Sequence, residues 1–360
     1  MSFACLRGRA EVGIMGVEAD FDIVYEHYFG IRIASEELCV RHYAVRYVCK
    51  PQASVAGPSS CAVRSLHLKE EAVFMLGLGD PLVIERIEGI DIPFNVDGYD
   101  RYGVSRDHLI AFVTALRPVY EHYLRMTVFG RDQVPDEGGA LLIGNHSGGI
   151  AFDAAMVLCA LVLEGDSPRL AHGMVEQFLA RWPFANTVLS RIGQFSGLPE
   201  HAERLLNDRR LLLVFPEGAR GTGKLYRDRY QLVRFGTGFM RLALKTGKPI
   251  VPFAFIGAEE AFPTMFHVGW LAKLLRAPYV PVPPQLLPIP LPFSCQLYFG
   301  EPMHFEGTGD EPDDVVLEMV ARVRNVIQHM VDQGIAARPT DFMLRRMPDD
   351  DEPLTKRGGR

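Results

Sequence analysis

Three short runs without a polar residue constrain this chain's fold more than any other feature. They are Ala140–Gly144 (ALLIG), Leu211–Phe215 (LLLVF) and Ile250–Ile256 (IVPFAFI). Runs this short, set among Gly and Pro, read as buried strands. Helical patterns lie between them. Ser105–Phe129 reads as an amphipathic helix leading into a strand, with Ser105 and Asp107 as N-cap and first-turn acid. Asp153–Leu163, Glu200–Asn207 and Phe235–Thr246 read as helices, the last stopped by Gly247. Gln296–Phe299 reads as a final strand and Pro312–Gln333 as a long terminal helix. Alternation of this kind predicts an α/β fold, a mostly parallel mixed sheet flanked by helices. Pro252 lacks an N–H for the ladder, so Ile250–Ile256 is expected at an edge or at a bulge.

Length and charge set the frame. The 360 residues suit one large domain, or one domain with an extension. Residues 1–100 form a mixed N-terminal region of uncertain fold, with short β-like runs at Ile23–Tyr25 and Val45–Cys49. Residues 101–335 carry the regular alternation. Residues 336–360 are charged and poor in apolar side chains, so disorder is expected there. The net charge of −6 argues against binding nucleic acid through overall charge. The six cysteines form no CxxC pair, so neither a metal site nor a disulfide framework is expected, and a reducing, cytoplasmic compartment is. The N-terminus lacks the pattern of a secretory signal. The longest clean apolar run, Ala154–Leu163, falls short of the roughly 18–20 residues that span a bilayer. Work on lipids would therefore proceed from the membrane surface, on the inner face of the cell membrane.

The chemistry gathers where strands end. After Gly144 comes a tight polar turn, Asn145, His146, Ser147, Gly148 and Gly149, and then a helix near Phe152. His146 thus sits at the carboxyl end of a strand, where open α/β sheets place their ligands. Asp153 falls in the first turn of the next helix, whose positive end favours an ionised carboxylate. Such a carboxylate can fix the tautomer of an imidazole and stabilise the imidazolium. A capping Asp beside an unrelated loop His is the bland alternative.

The second strand end is LLLVFPEGARGTGK. It presents Phe215, Pro216, Glu217 and Gly218, then Arg220 and Lys224. Glu217 is suited to accept from substrate hydroxyls, and Arg220 to hold a phosphate or carboxylate. A P-loop does not fit, because the motif would need Ser or Thr where Leu225 stands. The third strand end carries Glu259 and Glu260, either solvated acids or direct participants. Lys224, Arg227, Arg229 and Arg234 form a basic cluster with Tyr226 and Tyr230, fit for a phosphate or for a solvated face. Val268–Arg276, within an apolar Pro-rich stretch, reads as a short helix with Trp270 and Leu274 set against Lys273. It suits an interfacial anchor, a cover over the core or a dimer contact.

Together these segments resemble the glycerolipid acyltransferase superfamily that includes lysophosphatidate acyltransferases. Asn145–His146 with Asp153 resembles its first block, Phe215-Pro216-Glu217-Gly218 with Arg220 its third, and Ile250-Val251-Pro252 its fourth. The form NHSGG…D with FPEG resembles a bacterial subgroup. The resemblance covers about residues 115–305. Six residues separate His146 from Asp153, against four in the best-known members, and the Gly193–Gly197 stretch lacks the Arg of the second block.

The resemblance implies a glycerol-3-phosphate acyltransferase-like fold and an O-acyltransferase with no bound cofactor. Acyl-CoA or acyl-ACP would be the co-substrate, and a glycerolipid or lysophospholipid hydroxyl the acceptor. His146 would be the general base and Asp153 its orienter. Asn145, Ser147, Gly148, Phe215, Pro216, Glu217, Gly218, Arg220 and Lys224 would line the substrate. A serine hydrolase is the weaker reading, because the chain contains no GxSxG elbow. A non-catalytic lipid-binding protein on the same fold is the third.

Overall fold

The computed structural model describes the backbone of Cys5–Val12, Val17–Tyr25 and Val45–Cys49, and residues 79–175, 183–196, 199–275, 277–287 and 289–338. The expected disorder of the C-terminal tail falls, from residue 339 on, outside the described residues. The chain divides into two compact units, Met1–Gly77 and Leu78–Arg360. In the first, β1 (Cys5–Val12), β2 (Val17–Tyr25) and β3 (Val45–Cys49) form an antiparallel sheet in the order β1-β2-β3.

The second unit is built on a seven-stranded sheet. Its strands are β4 (Thr127–Phe129), β5 (Ala140–Gly144), β6 (Ala171–Val175), β7 (Gln194–Ser196), β8 (Leu211–Val214), β9 (Ile250–Ile256) and β12 (Gln296–Phe299), in the order β4-β12-β9-β5-β8-β6-β7. Strands β9, β5, β8, β6 and β7 run parallel, and β12 and β4 run against them. This is the expected mixed, mostly parallel sheet. Two further strands, β10 (Phe266–His267) and β11 (Pro281–Val282), pair as a separate ribbon.

The apolar runs are explained by burial on both faces. Leu142, Leu213, Val251, Phe253 and Phe255 pack against the helix Phe152–Leu163 and against Tyr120 and Leu124. Leu141, Ile143, Leu212, Ile250, Ala254 and Ile256 face the helices Pro199–Asn207, Gly238–Thr246 and Asp313–Ala336. The terminal helix turns Val316, Val320, Val323, Ile327 and Val331 inward, the stripe that a period of 3.6 requires. Ser105 caps Arg106–Pro118 by accepting from the His108 amide at 3.4 Å.

The expectation for Pro252, an edge or a bulge, is overturned in its first half. Strand β9 lies inside the sheet, between β12 and β5, although it contains Pro252. The register explains it. Phe299 pairs with Phe253, so Pro252 stands just past the end of β12, and its carbonyl accepts from the Gly300 amide at 2.8 Å. An N–H at this position would have faced Gly300 as well, so one bond of that pair is not made, and just beyond it the register slips by one residue, Ile250 pairing with Met303.

Candidate active site

Strands β5 and β8 are parallel neighbours, with Ile143 beside Val214. Their carboxyl ends therefore deliver the His146 turn and the Pro216–Glu217 turn to one place. Gly144 is required at the end of β5, because a Cβ there would lie 2.2 Å from the Phe253 ring. Asn145 then anchors the turn. Its buried amide donates to the Phe255 carbonyl at 2.8 Å and accepts from the Phe255 N–H at 2.7 Å. A candidate substrate contact in the sequence, Asn145 spends its side chain on the neighbouring strand β9.

His146 and Asp153 meet. Nδ1 of His146 lies 2.9 Å from Oδ2 of Asp153. Asp153 is fully buried, and its oxygens also accept from the amides of Ser147 at 3.0 Å and Ala154 at 2.8 Å. The six intervening residues close up because Gly148 and Gly149 both take positive φ, +83° and +65°. The ring of Phe215 stacks on the imidazole, centroids 4.0 Å apart and planes 20° off parallel. The imidazole is thus held at one edge and one face. An acceptor-only carboxylate on Nδ1 selects the tautomer that leaves Nε2 with its lone pair.

Glu217 has a different place from the one expected. It is buried, and Oε1 accepts from the His146 amide at 3.0 Å while Oε2 accepts from the Val233 amide at 2.9 Å. Both oxygens are thereby engaged with backbone rather than offered to a substrate hydroxyl. The turn carrying it needs glycine at 218, whose φ of +57° and ψ of −152° suit no other residue. Pro216 contributes its carbonyl, which accepts from Gly236 N at 2.9 Å. Gly221 lets the next turn close in, since a Cβ there would come within 3.0 Å of His146 Cβ.

Lys224 is likewise turned inward. Its side chain is 5% exposed, and Nζ lies 3.5 Å from Glu217 Oε2 and 3.4 Å from Glu259 Oε1. A role in holding a substrate phosphate does not match that position. Glu259 is no solvated acid: it is buried, accepts from the Tyr230 amide at 3.0 Å, and burial pushes its carboxyl up to about 7 against the pull of Lys224. Glu260 pairs with Arg338 at 2.7 Å and accepts from the Tyr230 hydroxyl. Of the cluster's cations, Arg220, Arg227, Arg229 and Arg234 are exposed, with Arg220 donating to the Arg234 carbonyl at 3.3 Å.

Ser147 also departs from expectation in part. Its amide is occupied by Asp153, so the amides left for a developing oxyanion in this turn are those of Gly148 and Gly149. Among the described residues its buried hydroxyl has no hydrogen-bond partner. Sequence reasoning missed Val233, Tyr279 and Thr222. The Tyr279 hydroxyl donates to the Gly149 carbonyl at 3.2 Å and bonds the Thr222 hydroxyl, tying a distant segment to the turn that carries His146. No spacing rule announces such a contact.

A family model described as Acyltransferase matches residues 125–256, the span that holds both strand ends. An uncharacterized protein of Mycobacterium bovis is 34% identical over 255 residues, 68% of this chain and 71% of that protein. The matches span 65% to 71% of the mycobacterial relatives' own lengths. A bovine protein described as a DGAT1/2-independent enzyme synthesizing storage lipids is 23% identical over 57% of this chain and 59% of its own. The crystal structure of a 1-acyl-sn-glycerophosphate acyltransferase from Thermotoga maritima superposes with a TM-score of 0.44 and 17% identity, covering 64% of this chain and 83% of that one. The chain belongs to the acyltransferase family.

Proposed function

We propose that this protein transfers a fatty acyl group from an acyl thioester to a hydroxyl of a glycerolipid or lysophospholipid. The observation that carries this reading is the 2.9 Å contact between His146 Nδ1 and the wholly buried Asp153. Nε2 of His146 takes the proton of the acceptor hydroxyl as its oxygen bonds to the thioester carbonyl carbon. The C–S bond then breaks, and the imidazolium returns the proton to the departing thiolate. General-base catalysis of this kind supplies about 10²–10⁴ in rate. Asp153 stabilises the imidazolium, and the amides of Gly148 and Gly149 face the developing oxyanion.

Arg220 is the exposed cation nearest the site in sequence and is assigned to a phosphate of the acceptor or of coenzyme A. The donor is acyl-CoA or acyl-ACP, and the reaction takes place at a bilayer surface, on its cytoplasmic side. The bovine relative's description as an enzyme synthesizing storage lipids supports a lipid acceptor. Among the described residues no helix is long and apolar enough to cross a membrane.

The test is direct. The protein is incubated with labelled acyl-CoA, or with acyl-ACP, and a panel of lysophospholipids, glycerols and long-chain alcohols, and the products are identified by mass spectrometry. Acylated lysophospholipid or glycerolipid is expected. Release of free fatty acid with no acylated product would replace transfer by hydrolysis.

A further inference from the structure

A cover segment stands beside the catalytic turn and carries an unusual surface. Among the described residues, eight of the seventeen large hydrophobic side chains that are exposed lie within residues 265–289. Single exposed apolar residues are ordinary, but a run of this density marks a contact surface. The segment is not loose. Strands β10 and β11 pair, Met265 N donates to the Val282 carbonyl and Val268 N to the Val280 carbonyl, each at 3.0 Å. The helix Gly269–Leu275 sits at the tip of this ribbon, where Trp270 and Leu274, four residues apart, share a face and are 71% and 70% exposed. Met265, Phe266, Leu286 and Leu287 extend the apolar surface along the ribbon and beyond it.

Charge identifies the occupant. No Asp or Glu stands between Glu260 and Glu301, and the only formal charges in that stretch are Lys273 and Arg276, in a chain whose net charge is −6. An apolar segment whose own charges are cations alone, with Trp at its tip, is complementary to an anionic bilayer and not to a second copy of this acidic chain. Tyr279, in the same segment, bonds Gly149 and Thr222, and its ring lies 5.2 Å from His267 of β10. The surface is thus fastened to the turn that carries His146.

We infer that the segment Met265–Ile289 is the protein's docking surface for anionic membranes, and that it sets the catalytic turn at the lipid interface. The purpose of this contact rests on the acyltransferase reading. The contact itself is tested without an acyl donor, so the two can fail separately.

The full chain is mixed with vesicles of equal parts phosphatidylglycerol and phosphatidylcholine, and with vesicles of phosphatidylcholine alone. Trp182 and Trp270 are the chain's two tryptophans, so the variant Trp182→Phe reports on Trp270. Its emission should shift to the blue with the anionic vesicles and be quenched by bromine-labelled lipid tails, with a smaller response to the neutral ones. Co-sedimentation needs no such variant. There, Trp270→Ser with Leu274→Ser should weaken partition onto anionic vesicles at least ~10-fold, while turnover on a short-chain, water-soluble acceptor stays near that of the native chain. Equal partition of the native and doubly substituted chains overturns the inference. So do equal partition onto neutral and anionic vesicles, and a dimer in which Trp270 is already blue-shifted without lipid.

Discussion

The backbone amide of His146 donates to Oε1 of Glu217 at 3.0 Å, joining two turns 71 residues apart in the chain. Oε2 of the same carboxylate holds the Val233 amide, and Lys224 Nζ lies 3.5 Å from it. The glutamate of the FPEG turn therefore fixes the position of His146. Glu259 completes the arrangement on the far side of Lys224, so one buried cation is shared by two buried carboxylates.

Substitution of Glu217 should accordingly damage the catalytic turn rather than acceptor recognition. Glu217→Ala leaves two amides without their partner, at about 1–3 kcal/mol for each donor that becomes buried and unpaired. Thermal unfolding should show that loss, and steady-state kinetics should show a fall in kcat with acceptor KM little changed. Glu217→Gln keeps one of the two acceptors and should fall between. A rise in acceptor KM alone would mean that the carboxylate meets the substrate.

Asp153→Asn should preserve the fold and remove most of the activity. The amide cannot accept from Nδ1, Ser147 and Ala154 as the carboxylate does, and it permits the wrong imidazole tautomer. By analogy with hydrolase triads, kcat should fall by up to about 10⁴. A variant within a factor of about 10 of the native rate would remove Asp153 from the mechanism.

Gly149→Ala should be costly at a site that only backbone occupies. The residue sits at φ +65°, and a Cβ would lie 2.5 Å from the Phe262 ring and 2.7 Å from the Thr264 hydroxyl. Strain and overpacking of this kind cost about 1–3 kcal/mol. A melting curve that matches the native one would show that the turn relaxes freely.

Glu259 makes stability depend on pH. Its carboxyl titrates at about 7 in the fold against an ordinary 4.5, raised by burial. A folded-state value above the unfolded one gives stability that is complete below about pH 4.5 and is lost as the pH rises through about 7. Glu259→Gln, neutral throughout, should remove that slope. Melting temperatures of the two chains across this range should therefore diverge in the native chain's disfavour as pH rises. Parallel curves would place the titration elsewhere.

The fold was legible where burial leaves a mark on composition. Ala140–Gly144 and Ile250–Ile256 match their strands end for end, because a strand covered on both faces admits no polar residue and its turns need Gly or Pro. The position of β9 was not legible. Pro252 excludes one ladder bond, but the partner segment decides whether that loss falls at an edge or at a slip of register inside the sheet. In the site, the approach of His146 to Asp153 could be anticipated from two glycines in a short loop. The inward turn of Glu217, Lys224 and Glu259 could not. A charged residue at a strand end looks the same in sequence whether it meets solvent, substrate or another buried charge. Only the register of β5 against β8, and the return of the chain at Tyr230 and Val233, separates these cases.

The central claim is that Nε2 of His146 is the base for acyl transfer. The most direct measurement compares the native chain with His146→Ala for transfer of labelled acyl groups to the lipid acceptor, with melting temperature read on the same samples. Loss of at least about 10²–10⁴ in rate, with the melting temperature preserved, is the predicted result. Turnover near the native rate in a folded His146→Ala chain would contradict it.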